Sequence, residues 1–214
     1  DAAVLETADR WQQAPAQFVS SLLNRVGLPM FSSVAGQPVK LEGALRLALR
    51  LSMFVFAPRM AGIAVVAQPL IMLLYGPQWA EVAPLLAVLA LGALFWPLHV
   101  LNLAALGALG RPELVLQMEI AKGLISIALV WVAAFFGVQA LAWAVFCTSF
   151  VYVLINTWYS QRLLGCGLRS QLLDMMPILL ATLLSSAAAW LSLGWTRKPW
   201  LDLGVSVSIA AIAY

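Results

Sequence analysis

The chain has 214 residues, of which 63% are hydrophobic and 10% charged, and its formal net charge is +3. A soluble domain carries roughly 25% charged residues, so this composition excludes a water-covered globule and points to helices exposed to lipid. Its one histidine, two cysteines and nine carboxylates supply no metal-ligand spacing, no disulfide framework and no catalytic constellation. The basic residues form no stripe with interleaved aromatics, which leaves nucleic acid unsupported as a partner.

A bilayer core about 30 Å thick needs roughly 20 helical residues to cross it. The first candidate element, 15–34, is the most polar, with Gln17, Ser20, Ser21, Asn24 and Arg25 inside it. Facing lipid would be costly, so it is expected to face other helices or a water-filled cavity. Arg25 is a candidate for the cavity wall, with a packing residue that snorkels to the interface as the alternative.

After Gly36-Gln37-Pro38 the stretch to Arg50 reads as a basic loop, followed by spans at 51–75, 83–109, 114–136, 138–160 and 172–193. A seventh element starts near Trp200 and stops unfinished, and the chain begins without Met, so it reads as part of a longer protein. The fold class is therefore an all-α membrane protein, a polytopic bundle of about seven transmembrane helices.

The breaks Gly76-Pro77-Gln78, Gly110-Arg111-Pro112 and Gly165-Cys166-Gly167 are short, which makes sequential spans antiparallel neighbours. Lys40, Arg46, Arg50, Arg111, Arg162 and Arg169 fall in one alternating set of breaks, while the other set holds only Arg197 and Lys198. The first set is expected in the cytoplasm. Pro29, Pro58, Pro69, Pro84, Pro97 and Pro177 fall within or near spans and suggest bent helices around a cavity.

Polar residues at membrane depth are the candidate site. Arg59 follows Pro58 and lies about 13 Å further along the helix axis than Arg50, a depth that snorkelling hardly reaches. Its guanidinium would suit a pyrophosphate. His99 and Asn102 are three residues apart and share a helix face, placed to contact substrate or to relay a proton. A structural hydrogen bond is the plainer alternative for His99. Glu119 and Lys122 have the same spacing and read as an internal ion pair, structural or coupling. No catalytic residue, cofactor or metal is expected, and no inserted domain is present to carry enzyme chemistry.

Local patterns carry a resemblance. Leu74-Tyr75-Gly76-Pro77-Gln78-Trp79 with Ala83-Pro84-Leu85-Leu86 resembles the outer turn of the oligosaccharide flippases, the O-antigen and exopolysaccharide exporters of the multidrug/oligosaccharidyl-lipid/polysaccharide (MOP) superfamily. Pro97-Leu98-His99, Leu101-Asn102, Ala108-Leu109-Gly110-Arg111, Glu113-Leu114, Glu119-Ile120 and Lys122 resemble the next segment of that family. So do Asn156-Thr157-Trp158-Tyr159-Ser160, Leu163-Leu164-Gly165, Gln171-Leu172, Asp174 and Pro177, and, in the first element, Pro15, Arg25, Pro29 and Ser32.

The resemblance implies the C-terminal lobe of a MATE-like rocker-switch transporter, residues 1–160 forming the lobe and 161–214 an additional helix pair. Its implied cargo is an undecaprenyl-diphosphate-linked oligosaccharide, flipped across the bacterial inner membrane with H+ or Na+ coupling. Membrane lipids and the missing N-terminal lobe are the implied partners. A multidrug or lipid-precursor exporter of the same superfamily is the alternative, and a membrane-embedded glycosyltransferase or polymerase the alternative of another class.

Overall fold

Prolines decide where the helices of this chain begin and break. The computed structural model describes residues 31, 33, 34 and 36–192. Most of the 15–34 element, Arg25 with it, and the element expected from Trp200 lie outside the described residues. The helices are α1 (Pro38–Val65), α2 (Ala67–Tyr75), a 3-10 turn (Pro77–Val82), α3 (Ala83–Ala93), α4 (Trp96–Ala108), α5 (Pro112–Ala134), α6 (Val138–Leu164) and α7 (Leu168–Ser192). Among the described residues there is no strand.

Pro38, Pro77, Pro84, Pro97 and Pro112 each occupy the first or second position of a helical segment, where a missing N–H costs nothing. The two interruptions have the same cause. α1 stops at Val65 and α3 at Ala93, each four residues before a proline (Pro69, Pro97) that has no hydrogen to give that carbonyl. Pro84 and Pro97 thus mark breaks within the one membrane-length stretch Pro77–Ala108, and Pro69 stands in the first turn of α2. Pro58 and Pro177 do lie inside helices.

Five stretches are long and apolar enough to cross a membrane: Pro38–Val65, Pro77–Ala108, Pro112–Ala134, Val138–Leu164 and Leu168–Ser192. The protein is a multi-pass helical bundle, and its outer surface is apolar. Trp131, Phe135 and Phe136 on and just after α5 are 69%, 75% and 76% exposed, which water would not tolerate as a patch but lipid accepts.

A second correction concerns 38–50. It is not a loop before a span at 51–75 but the first turns of α1. Its charges are matched along the helix: Arg46 pairs with Glu42 at 2.9 Å, and both Arg46 (3.5 Å) and Arg50 (2.6 Å) reach Asp174 on α7. A charged stretch whose members find partners on a neighbouring helix has no reason to unwind.

Packing follows from spacing. Leu41, Leu45, Leu49, Met53 and Ala57 recur every four residues on α1 and are all buried, so they form one continuous stripe. That stripe meets Leu98, Leu101 and Ala105 of α4, Val153 and Leu164 of α6 and Met175 of α7. α7 packs chiefly on α1, and α5 chiefly on α6. Gly92 of α3 sits so close to α6 that a Cβ there would lie 3.3 Å from the Phe146 Cα, the close backbone approach that small residues permit in membranes. α6 ends at Gly165, whose φ of 74° is left-handed, with the Cys166 N–H returned to the Ser160 carbonyl. That turn brings the start of α7 back beside the end of α6.

Candidate functional site

The site grows from a face of α4. His99 and Asn102 lie on it together, as their spacing requires, and opposite them α6 presents Asn156 and Ser160, four residues apart and on one face of their own helix. α5 contributes Lys122 with Glu119, and α7 contributes Gln171. The result is a polar seam joining four helices through side chains.

Asn102 is fully buried, and all its hydrogen-bonding capacity is used. Its Nδ2 donates to the Leu98 carbonyl (2.8 Å) and to Gln171 Oε1 (2.9 Å). Its Oδ1 accepts from Ser160 Oγ (2.7 Å) and Gln171 Nε2 (2.8 Å). Gln171 Nε2 also donates to the Cys166 carbonyl at 3.0 Å. This end of the seam is neutral and closed.

The other end is charged. Lys122, 1% exposed, donates to Asn156 Oδ1 at 2.9 Å and pairs with Glu119, and its Nζ stands 5.5 Å from the centre of the Tyr152 ring. Asn156 Nδ2 donates to the His99 carbonyl (2.8 Å) and meets His99 Nδ1 at 2.9 Å. The orientation of the Asn156 amide is forced, because Lys122 can only donate and a carbonyl can only accept. His99 Nδ1 is therefore the acceptor, and the neutral imidazole carries its hydrogen on Nε2. The His99 ring also lies 5.3 Å from that of Tyr152.

Glu119 is unlike its neighbours, since its side chain is 45% exposed. It lies about 10 Å along α5 from Pro112 at 1.5 Å per residue. α5 is the least covered of the long helices, with only Met118, Lys122 and Ala133 buried. The seam thus reaches the surface of the bundle at Glu119 and closes inward at Asn102.

Of the residues singled out in the sequence, the structure brings His99, Glu119 and Lys122 together around Asn156, while Asn102 belongs to a second cluster with Ser160 and Gln171 between the same helices α4 and α6. Arg59 is exposed on α1 and takes no part in the hydrogen bonds of the seam given above. Asn156, Ser160 and Gln171 were not singled out as site residues, although the four-residue spacing of Asn156 and Ser160 in an apolar helix was the available signal. Among the described residues no group of His, Cys, Asp and Glu could hold a metal ion.

An opening of about 800 Å³ lies between α1, α2, α3 and α7, and Ala64, Ala67, Ala83, Ala87, Thr182 and Ser186 are among the residues that line it. Thr182 is 2% exposed, and its Oγ1 has no hydrogen-bond partner among the described residues.

Fold and seam together define a polytopic helical membrane protein with hydrogen-bonded polar side chains buried in its bundle. Residues 1–84 match the family model described as "Polysaccharide biosynthesis protein". The chain is also 33% identical over 91 residues to the succinoglycan biosynthesis transport protein ExoT of Rhizobium meliloti (strain 1021), a match that covers 42% of this chain and 18% of the relative. The chain thus spans less than a fifth of that curated relative's length in the match. No solved structure matches the chain significantly. Both matches are to proteins described by polysaccharide biosynthesis or its transport.

Proposed function

We propose that this chain forms one helical lobe of an exporter that flips an undecaprenyl-diphosphate-linked oligosaccharide across the bacterial inner membrane by alternating access, for O-antigen or exopolysaccharide assembly. The observation that carries the reading is the part-exposed Glu119 carboxylate beside buried Lys122. A carboxylate facing lipid at that depth is expensive, so this face of α4, α5 and α6 borders a watered passage, closed on its far side by a second lobe. Succinoglycan transport, named for the relative, supports a saccharide cargo.

In this reading the 1–160 lobe and the helix pair of 161–214 work as one unit, since α7 packs on α1. His99 and Asn102 belong to the passage wall, and Glu119 with Lys122 carries the response to a coupling H+ or Na+. Arg59 and Arg25 receive the diphosphate, and the protein performs no chemistry on its cargo. The test is export of surface polysaccharide by the complete protein in cells lacking their own copy. Arg59→Ala is expected to abolish export with the membrane level of the protein unchanged. Normal export by that variant would remove Arg59 from the pathway.

A further inference from the structure

The direction of the Lys122 side chain is unusual for a membrane lysine. Such side chains run toward the interface and leave the ammonium in water. Lys122 lies about 15 Å along α5 from Pro112, and it turns inward instead. Its ammonium is buried, while the carboxylate paired with it is the exposed partner. An ion pair that served only to neutralise Glu119 would put both heads toward water.

What surrounds the ammonium explains the inversion. It meets one carboxylate oxygen of Glu119, the carboxamide oxygen of Asn156 and the face of the Tyr152 ring. Two oxygen acceptors, one bearing a formal charge, and an aromatic face suit an ammonium ion, and to a bare alkali ion they offer two oxygen ligands with water completing its shell. They come from α5 and α6, and Asn156 extends the arrangement to α4 through the His99 carbonyl and ring. A cation at this point therefore holds three helices in register.

We propose that the Lys122 ammonium is a tethered cation, filling from within the chain a monovalent-cation site made by Glu119, Asn156 and the Tyr152 ring. This site needs no metal ion in the native protein. Removing the lysine side chain leaves a vacancy that Na+, K+ or a small alkylammonium ion fills. The inference deepens the coupling role given above to Glu119 and Lys122 and rests on the same site. It narrows that role: Na+ does not act at this place unless the lysine leaves it.

The experiment reads thermal stability rather than export, so its failure leaves the saccharide reading standing. The purified complete protein is melted at one ionic strength in choline, sodium, potassium or methylammonium chloride. Any difference among the four salts in the native protein is expected to be unchanged, within about 1 °C, by Glu119→Gln, because no ligand binds at this site. Lys122→Ala is expected to melt several degrees lower in choline and to recover at least half of the loss in methylammonium or Na+. Adding Glu119→Gln to Lys122→Ala is expected to erase the recovery.

An equal loss in every salt would overturn the proposal, as would a native protein stabilised by Na+ through Glu119. The neutral pair Glu119→Gln/Lys122→Met guards against simple misfolding, since it needs no cation. If that pair folds while Lys122→Ala folds in none of the salts, the tethered-cation reading is wrong.

Discussion

Across α4, α5 and α6 the bundle interior is polar, and the buried amides of Asn102, Asn156 and Gln171 all have partners. Between α1, α2, α3 and α7 it is lined mainly by apolar side chains, alanines among them, and one buried hydroxyl, that of Thr182, has no partner among the described residues. The same kind of side chain therefore has opposite meaning in the two places. In the seam a polar group is part of a closed set, and removing one member strands the others. In the apolar-lined opening the polar group stands alone, and nothing depends on it.

The comparison predicts a graded series of effects. The largest belongs to Asn102→Leu, which removes the acceptor of the Ser160 hydroxyl and both Asn102 partners of the Gln171 amide, leaving Gln171 only its bond to the Cys166 carbonyl. A cost of about 2–3 kcal/mol in reversible unfolding is expected, toward the low end because hydrogen bonds between membrane helices are individually modest. A cost below about 0.5 kcal/mol would show that the seam relaxes freely on loss of a member. Next comes Asn156→Leu, which parts Lys122 from His99 while leaving the Glu119 pair intact. Its stability cost is expected to be smaller, about 1–2 kcal/mol, and its effect on export larger than that of Asn102→Leu at equal membrane level. The reverse order of export defects would place the passage at the neutral end. Smaller again is Asp174→Asn, which removes the carboxylate paired with Arg50 and leaves Arg46 with Glu42 alone. Both arginines are substantially exposed, at 37% and 53%, so about 0.5–1 kcal/mol is expected, shrinking in high salt.

How far the sequence reveals the seam depends on whether both partners stand on one helix. His99 with Asn102 and Glu119 with Lys122 are legible because spacing of three places them on one face. Their partners across the interface are not legible, because helix periodicity says which residues share a face and nothing about which face they meet. Gln171 looked like a polar residue near the start of a span, and only the turn at Gly165 brings it to Asn102. The membrane bundle itself was legible from composition. The start of α1 was not, because Lys40, Arg46 and Arg50 resemble an interfacial loop until Asp174 of α7 supplies a counter-charge to the two arginines. The proline breaks were legible in place but not in effect, since a proline that bends a helix and one that starts a new segment leave the same letter.

The smallest expected effect separates the opening from the seam most cleanly. Thr182→Val exchanges a hydroxyl for a methyl of similar size, so packing against the apolar-lined opening is nearly preserved. A buried hydroxyl without a partner carries its desolvation cost uncompensated, and replacing it removes that cost without stranding any acceptor. The variant is therefore expected to unfold at the same free energy as the native protein or up to about 1 kcal/mol higher, whereas the polar-to-apolar exchange at Asn102 costs stability. A loss above about 1 kcal/mol at Thr182 would mean that its hydroxyl has a partner in the assembled protein. The opening would then be an occupied site, and the contrast with the seam would fail at that residue.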